Sequence, residues 1–329
     1  VGALGINAVF HREGRLPQRP LEPLLAELVR HGMSATADGG DLHCQGQLRS
    51  GDYVLPGDVS SQFVSALLLA LPLLPGDSTL TLTSAPESAP YIAMTEEVLA
   101  AAGISLYRTG SRYRIPGGQR YRLPSHLTVE GDWSAAAFFL CAGAMSREGI
   151  AVDGLSLPTR QGDSALLPLL RQMGAEVNLS SGCITVRKGR LRATDIDARP
   201  IPDLIPPLSV LAAAAEGGSH IQNARRLRYK ESDRLQGIAG LLNSLGGCLT
   251  VGGDGLLIHG VSHLRGGTVD PMGDHRLAMS AALAALSADA PVTVRDADCV
   301  SKSYPAFWAD FQSLKGEAPC PAPSETPSV

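Results

Sequence analysis

The sequence has 329 residues, of which 44% are hydrophobic, and its formal net charge is -4. This length and apolar content predict about two domains with packed cores, and they exclude a chain that is disordered throughout. An aromatic content of only 5% and the acidic balance argue against nucleic acid as the main partner, whereas small anionic ligands are compatible with both.

The cysteines, the histidines and the length of the apolar runs exclude further classes of protein. Six cysteines occur without a C-x-x-C pair, as is typical of reduced thiols in a cytoplasmic protein. Eight histidines form no H-E-x-x-H motif, so we expect neither a metal site nor a cofactor. No apolar run reaches the ~18 residues that a membrane span needs, and we therefore expect no membrane segment.

Four aspartates recur along the chain at nearly constant spacing. Asp58, Asp132, Asp203 and Asp274 are 74, 71 and 71 residues apart, and each opens an apolar segment. These segments are apolar on nearly every side, which predicts buried helices without a solvent face. An Asp or Ser N-cap would begin each of them. The predicted helices span residues 64–74, 135–145, 207–217 and 277–287.

A second type of segment completes the repeated unit. Residues 95–103, 166–174 and 235–247 have the pattern of helices that end in Gly, and residues 183–188 and 256–261 alternate as strands do. The sequence therefore predicts an α/β protein built of repeated units of roughly 70 residues, each with strands and two helices.

The two ends of the sequence depart from the repeat. Extrapolating the spacing backwards places an earlier cap before Val1, so we expect the sequence to be truncated at its N-terminus, with residues 1–4 as the tail of a helix. Residues 315–329 contain four prolines and no periodicity, and we expect this tail to be disordered.

Positive charge is concentrated in residues 225–235. Five of the ten positions from Arg225 to Arg234 are cationic, although the whole chain is acidic. Arg and Lys side chains in such a cluster suit phosphate or carboxylate groups. The alternative is a solvated helix start with i,i+3 and i,i+4 ion pairs. If the repeated helices pack side by side, their N-termini converge on one surface, which favours the anion site.

Individual residues near the predicted helix starts allow two interpretations each. Ser60 and Asp203 are compatible with plain N-caps as well as with ligand contacts. Arg19 precedes a proline and fits an exposed loop, and His275 fits a structural hydrogen bond as well as an acid–base group. Their joint occurrence on one repeated architecture favours the functional interpretation.

Seven motifs occur along the chain: Gly-Asp-Val-Ser-Ser-Gln-Phe at 57–63, Ser-Ala-Pro-Tyr at 88–91, Gln-Gly-Asp at 161–163, Ile-Pro-Asp at 201–203, Arg-Tyr-Lys-Glu-Ser-Asp-Arg-Leu at 228–235, Gly-Asp-His-Arg at 273–276 and Ser-Lys at 301–302. The EPSP synthase family carries these motifs in the same order, and the sequence resembles that family from about Arg15 to Phe311.

The resemblance implies a two-domain enolpyruvyl-transferase fold of repeated β/α units, with helices inside and sheets outside. Residues 1–128 would then be the remnant of the first domain, with its first unit missing, and residues 129–314 would form the second domain. The implied reaction transfers the enolpyruvyl group of phosphoenolpyruvate to the 5-hydroxyl of shikimate 3-phosphate, giving EPSP and phosphate.

The resemblance also implies roles for individual residues. Asp203 would be the base on the hydroxyl and Glu231 the acid near the enolpyruvyl methylene, with Lys302 assisting. The implied phosphoenolpyruvate-binding residues are Arg19, Gln62, Arg234, Arg276 and Lys302. The implied shikimate 3-phosphate-binding residues are Ser60, Ser61, Gln62, Ser88, Tyr91, Asp203 and Lys230.

The sequence departs from the family pattern at two places. The family's N-terminal Lys-Ser motif and its Gly-rich Thr-Arg motif have no counterpart, so we expect this chain by itself to be inactive or nearly so. Arg226 stands where some members carry an Asn that contacts the substrate. We expect a monomer that acts on two small molecules.

Two other functions compete with this interpretation. A UDP-N-acetylglucosamine enolpyruvyl transferase shares the implied fold and donor, but the Ser-Ser-Gln and Lys-Glu-Ser-Asp-Arg motifs favour the shikimate enzyme. A non-catalytic repeat module that binds or scaffolds is the second alternative, and it would bind no shikimate 3-phosphate.

Overall fold

The computed structural model describes residues 1–180 and 182–314, which form two compact units. Unit 1 comprises Val1–Thr128 and a short return of the chain at Arg160–Gly162. Unit 2 comprises Val129–Thr159 and the described residues from Asp163 onwards. Residues 315–329, for which the sequence predicts disorder, lie outside the described residues.

Unit 1 combines two sheets with three α-helices. Its strands are Ala8–Phe10 (β1), Met33–Asp38 (β2), Asp41–Gly46 (β3), Asp52–Leu55 (β4), Ser78–Leu82 (β5), Tyr107–Thr109 (β6) and Arg112–Ile115 (β7). Its helices are Leu24–Arg30 (α1), Ser61–Ala70 (α2) and Ala89–Ala101 (α3). The sheet orders are β1-β3-β2 and β4-β5-β7-β6, and β4–β5 is the parallel pair.

The core of unit 1 lies between the second sheet and α2. Alternate residues of the strands point inward, as Leu80 and Tyr113 do, and they pack with Leu67 and Leu68 of α2 in one apolar cluster. The opposite side of α2 keeps exposed positions, including Leu69, which is 45% exposed. The prediction that this helix has no solvent face is therefore wrong.

Unit 2 contains three sheets and six α-helices in its described residues. The strands are Ile150–Asp153 (β8), Glu176–Ser180 (β9), Cys183–Arg187 (β10), Ile196–Asp197 (β11), Gly218–Gln222 (β12), Cys248–Val251 (β13), Leu256–His259 (β14), Gly267–Val269 (β15) and Val292–Val294 (β16). The helices are Trp133–Met145 (α4), Leu166–Gln172 (α5), Ile205–Ala213 (α6), Arg234–Ser244 (α7), His275–Ala284 (α8) and Phe307–Ser313 (α9). The sheet orders are β8-β10-β9, β11-β12-β14-β13 and β15-β16.

The three helices that open the repeated units of unit 2 lie inside it. Every residue of α6 is buried, as are nine of the ten residues of α8, and α4, α6 and α8 pack against one another. A helix with no polar face can be stable only when it is covered on all sides. The prediction of buried helices is therefore confirmed for unit 2, as is the mixed α/β class.

The aspartates that mark the repeat do not all cap helices. Asp132 accepts hydrogen bonds from the backbone of Ser134 and Ala135, and Asp274 accepts one from Arg276, so these two are N-caps. Asp58 instead accepts a hydrogen bond from the Ser84 hydroxyl, and the N-cap of α2 is a serine. The predicted cap at Asp203 is wrong, because that residue lies in a 3₁₀ turn, Pro202–Leu204, and its carboxylate makes tertiary contacts instead.

Helices α7 and α8 approach each other closely at a glycine. A Cβ atom on Gly237 would lie 2.4 Å from Cδ1 of Leu277 and 2.8 Å from Cε of Met272. The absence of a side chain at this position therefore brings the first turns of the two helices together, with Arg234 and Asp274 at their starts.

In the described residues, every helix is too short or too polar to cross a membrane.

Candidate active site

Arg234 is the residue around which the charged groups of unit 2 are arranged. It is the first residue of α7, and its side chain is 1% exposed. Its Nε donates to Asp274 Oδ2 at 2.9 Å, one terminal nitrogen to Asp203 Oδ1 at 2.8 Å and the other to Glu231 Oε2 at 2.7 Å. Burial disfavours its charged form, but the carboxylates outweigh burial and raise the pKa of Arg234. One buried guanidinium therefore joins three carboxylates.

Two further cations approach the carboxylate of Asp203. Arg276 Nε lies 3.3 Å from Asp203 Oδ1, and Lys230 Nζ lies 3.9 Å from the same atom. Burial lowers the pKa of Lys230, although the charge of Asp203 favours its protonated form. The side chain of Asp203 is 13% exposed.

Glu231 connects the buried arginine to an exposed lysine. Lys302 Nζ donates to Glu231 Oε1 at 3.2 Å, and 56% of the Lys302 side chain is exposed. Burial alone would raise the pKa of Glu231, but Arg234 and Lys302 outweigh burial and lower it to about 2. Glu231 is therefore ionised at neutral pH in the protein without ligands.

The start of α8 adds a neutral histidine and a buried acid. Asp274 is fully buried and accepts a hydrogen bond from the Ser232 hydroxyl at 2.9 Å. Burial and the neighbouring charge of Arg276 lower the pKa of His275 to about 4, so His275 is uncharged at neutral pH. Its Nδ1 is buried and has no hydrogen-bond partner among the described residues.

The ion-paired interpretation of residues 225–235 holds for part of that stretch. Arg228 donates to Asp233 at 3.0 Å and to the carbonyl of Gly252 at 2.9 Å, and Asp233 in turn caps α7 through Gln236. Lys230 and Arg234 instead contact Asp203, which comes from another segment of the unit. The stretch therefore contains both local ion pairs and side chains that belong to the charged cluster.

In unit 1, the candidate residues lie at the starts of two neighbouring helices. The segments that precede α2 and α3 are joined by a hydrogen bond from the backbone of Glu87 to the carbonyl of Gly57, at 3.1 Å. Within the helices, the hydroxyls of Ser65 and Thr95 lie 2.7 Å apart. A Cβ on Gly57 would lie 2.5 Å from the carbonyl of Ser84, so this approach requires glycine. The predicted residues at these helix starts are Ser60, Ser61 and Gln62 on α2 and Ser88 and Tyr91 on α3.

The backbone of Ser88 is in a conformation that L-residues rarely adopt. Its φ is 51° and its ψ is 41°, and the residue is buried at the N-cap of α3. Such strain is concentrated at functional sites. Ser60, the N-cap of α2, makes no side-chain cap hydrogen bond. Arg19 follows the 3₁₀ turn at Leu16–Gln18 and is half-buried.

The structure thus brings together all the predicted residues of unit 2, and five of the six predicted residues of unit 1 lie at two adjoining helix starts. In unit 2 the cluster contains a carboxylate that can accept a proton, a second carboxylate beside a lysine, and arginines that suit anionic groups.

Comparisons with known proteins give the family. The model of EPSP synthase (3-phosphoshikimate 1-carboxyvinyltransferase) matches residues 1–311. The chain belongs to the EPSP synthase family. A 3-phosphoshikimate 1-carboxyvinyltransferase of Clostridium kluyveri is 41% identical over 319 residues, covering 95% of this chain and 74% of that protein. One from Methanocorpusculum labreanum is 39% identical over 307 residues, covering 93% and 72%.

Solved structures agree with this membership. The EPSP synthase of Acinetobacter baumannii has a TM-score of 0.75 and 27% identity, and the match covers 95% of this chain and 74% of that one. The enolpyruvyl transferase NikO of Streptomyces tendae shares the fold, with a TM-score of 0.77 at 23% identity. These comparisons do not favour the UDP-N-acetylglucosamine alternative.

Asp274 and Ser232 are members of the cluster that the sequence did not indicate as site residues. Asp274 was predicted only as a helix cap, yet it also accepts hydrogen bonds from Arg234 and Ser232. Its adjacency to His275 and Arg276 in the Gly-Asp-His-Arg motif was the available signal.

Proposed function

We propose that this chain carries the machinery for transferring the enolpyruvyl group from phosphoenolpyruvate to the 5-hydroxyl of shikimate 3-phosphate. The single observation that carries the proposal is that buried Arg234 joins Asp203 and Glu231, which are the proposed base and acid. We further propose that units 1 and 2 correspond to the family's two domains and that the protein is cytoplasmic. We also propose that it acts as a monomer, and sedimentation would test this oligomeric state.

The proposed donor site uses the cations at the edge of the cluster. Lys302 is exposed and Arg276 is 12% exposed, so these two can contact the phosphate and carboxylate of phosphoenolpyruvate directly. Arg234 already donates to three carboxylates and its side chain is 1% exposed, so a donor that contacts Arg234 has to rearrange part of this network. Arg19 and Gln62 are the proposed donor contacts of unit 1.

The proposed acceptor site combines hydroxyl groups and a cation. Ser60, Ser61, Ser88 and Tyr91, together with Gln62, would hold shikimate 3-phosphate from the starts of α2 and α3. The helix N-termini there favour anionic groups. Lys230 would serve the same ligand, next to the base Asp203.

The proposed chemistry follows from the charges around the two carboxylates. Asp203 takes the proton of the 5-hydroxyl as the oxygen attacks C2 of phosphoenolpyruvate, while C3 gains a proton. The tetrahedral intermediate then loses phosphate from C2 and a proton from C3, which restores the carbon–carbon double bond of the enolpyruvyl group. Because Lys302 and Arg234 keep Glu231 ionised, an anionic donor that competes for these cations raises the proton affinity of Glu231. Glu231 therefore acquires the proton for C3 as the donor binds.

Calorimetry and a phosphate-release assay test the proposal. We expect this chain to bind shikimate 3-phosphate, and any turnover to depend on that acceptor and not on UDP-N-acetylglucosamine. Asp203→Asn should lower turnover by about 10²-fold or more, as for loss of a general base, whereas Asp289→Asn, a change on the exposed surface of unit 2, should have no effect. A chain that neither binds shikimate 3-phosphate nor releases phosphate contradicts the proposal.

A further inference from the structure

Trp308 joins α9 to the 3₁₀ helix that carries Lys302. Its indole Nε1 donates a hydrogen bond to the carbonyl of Ala297 at 2.9 Å. Ala297 is the first residue of that 3₁₀ helix and Lys302 is its last, so we call Ala297–Lys302 the lysine helix. Trp308 itself lies on α9, next to the fully buried Phe307. The indole N–H has no role in the function proposed above.

The lysine helix has few attachments to the rest of unit 2. Its end is exposed at Ser301 and Lys302, whereas Val300 is buried. A 3₁₀ helix has three residues per turn, so Ala297 and Val300 lie on one face of it and Lys302 lies on another. A second attachment on the inner face, at the Ala297 carbonyl, opposes rotation of the helix about its axis. The direction in which Lys302 points therefore depends on both attachments.

The residue before the lysine helix has a strained backbone. Asp296 is the N-cap of this helix, and its φ of 42° and ψ of 43° are in the left-handed region. Such a conformation costs free energy and persists only where surrounding contacts impose it. The carbonyl that Trp308 holds belongs to the next residue, Ala297. The hydrogen bond of Trp308 is therefore placed where it can maintain the strained start of the helix.

Helix α9 is fixed in unit 2 by contacts other than the indole N–H. Phe307 is fully buried, and its ring packs against Phe138 and Phe139 of α4 with ring centroids 6.2 and 5.8 Å apart. The Tyr304 hydroxyl donates to Asp310 Oδ2 at 2.8 Å. Because these contacts hold α9, Trp308 acts from a fixed support, and removing its N–H alone should leave α9 in place.

The ion pair of Lys302 with Glu231 is too weak to place the lysine by itself. Lys302 Nζ donates to Glu231 Oε1 at 3.2 Å, but 56% of the Lys302 side chain is exposed. Exposed ion pairs contribute little free energy, and a lysine side chain has several rotatable bonds. The backbone that carries Lys302 therefore has to be held by other contacts if the pair is to persist.

We propose that Trp308 is a positioning residue that acts through Lys302. Its indole N–H holds the Ala297 carbonyl, fixes the rotation of the lysine helix and so keeps the Lys302 ammonium group beside Glu231. The alternative is a purely structural role, in which Trp308 only fastens α9 to the rest of the unit. This inference rests on the proposed function, in which Lys302 contacts phosphoenolpyruvate.

The direct test follows the Lys302 side chain by NMR and does not require turnover. The chain has four lysines, so protein labelled with ¹³C at the lysine ε carbon gives few signals, and Lys302→Met identifies the signal of Lys302. Glu231→Gln gives the position of this signal when the ion pair is lost. Trp308→Phe keeps an aromatic ring and removes the N–H. In this variant we expect the Lys302 signal to move towards the unpaired position by about half of the difference.

Tyr304→Phe is the matched control. It also keeps its ring and removes one hydrogen bond, that of the Tyr304 hydroxyl to Asp310, which does not involve the lysine helix. Because each variant loses one hydrogen bond, we expect both to lower the melting temperature by a similar few degrees. The Lys302 signal should stay at its wild-type position in Tyr304→Phe.

Steady-state kinetics give the second readout. In Trp308→Phe we expect the KM for phosphoenolpyruvate to rise about threefold, because Lys302 is less often in place to contact the donor. The KM for shikimate 3-phosphate should change by less than about 1.5-fold, since Lys302 is a proposed contact of the donor alone. Tyr304→Phe should change neither value.

Three outcomes overturn the inference. The first is a Lys302 signal that does not move in Trp308→Phe. The second is an equal movement in Trp308→Phe and Tyr304→Phe, which would mean that any loosening of α9 acts on Lys302. The third is a signal that Glu231→Gln leaves unmoved, because there would then be no ion pair to maintain. A wild-type protein without turnover contradicts the proposed function alone, since the Lys302 signal still reports whether Trp308 holds the ammonium group beside Glu231.

Discussion

Replacing Arg234 with methionine should strongly destabilise unit 2. Its guanidinium is the cation that Asp203, Glu231 and Asp274 share, and Asp274 is fully buried. Removing one partner of a buried ion pair costs about 3–5 kcal/mol, because the remaining charges stay buried without compensation. We therefore expect the free energy of unfolding to fall by that amount and the melting temperature to fall by on the order of 10 °C.

Tryptophan fluorescence can follow this unit specifically. The chain has two tryptophans, Trp133 and Trp308, and both belong to unit 2. Chemical denaturation monitored by their emission, at several pH values, gives the stability of the wild type and of Arg234→Met. The variant Arg225→Met is the matched control, since the described contact of Arg225 with Asp254 is made by its backbone N–H. We expect the control to change stability by less than about 0.5 kcal/mol.

The pH dependence of the loss of stability in Arg234→Met identifies the cause of that loss. In the wild type, burial alone would raise the pKa values of Glu231 and Asp274, but Arg234 outweighs it, together with Lys302 at Glu231, so that the pKa of Glu231 is about 2 and that of Asp274 is also lowered. A carboxylate with a lowered pKa contributes stability above its unfolded-state value, near 4, and this contribution is lost as the pH falls further. The variant lacks the contribution, so the difference between the two proteins should be largest near pH 7 and should shrink below pH ~4. A loss under about 1 kcal/mol at pH 7, or one independent of pH, would refute the reasoning.

Three further changes have defined outcomes. Lys302→Met should weaken phosphoenolpyruvate binding in calorimetry by about tenfold with little change in melting temperature, because an exposed cation contributes little to stability; unaltered affinity would remove Lys302 from the donor site. The stability of the wild type should decline as the pH falls from ~6.5 towards 4, because in this range the unfolded state binds a proton at His275 and the folded state, where the pKa is about 4, does not. His275→Asn should reduce this decline. Identical pH profiles of wild type and variant would argue against this. Ser88→Gly should relieve the strain of the left-handed φ of 51° and stabilise unit 1 by up to ~1 kcal/mol. It should also weaken shikimate 3-phosphate binding, because the proposed contact of the Ser88 hydroxyl is lost. A gain in affinity would contradict that contact.

The regular spacing of the aspartates predicted the buried helices of unit 2, but it could not predict what each aspartate side chain contacts. The predicted helix at 207–217 is present as Ile205–Ala213, and that at 277–287 begins at His275. Asp203 nevertheless bonds Arg234, 31 residues further along the chain, instead of capping α6. Local sequence sets the tendency to form a helix, whereas this contact depends on how α6 and α7 pack.

The state of Glu231 was likewise only partly predictable. A carboxylate among cations is expected to stay ionised, and the lowered pKa agrees with this. The sequence did not show that the responsible cations are Arg234, three residues away, and Lys302, 71 residues away. Asp163 was visible only as part of the Gln-Gly-Asp motif, because Ser134, whose hydroxyl donates a hydrogen bond to it, comes from a distant segment.

The glycine contact between α7 and α8 has a consequence for anyone who redesigns this protein. Gly237 carries no charge and lies one turn beyond Arg234, yet a methyl group there would have to displace Leu277 and Met272. The shift would separate the first turns of two helices whose side chains meet at hydrogen-bond distance through Arg234 and Asp274. Random mutagenesis should therefore recover impaired variants at Gly237 as well as among the charged residues. A second substitution of Leu277 by a smaller residue should restore the function of the Gly237 variants, whereas a change of charge should not.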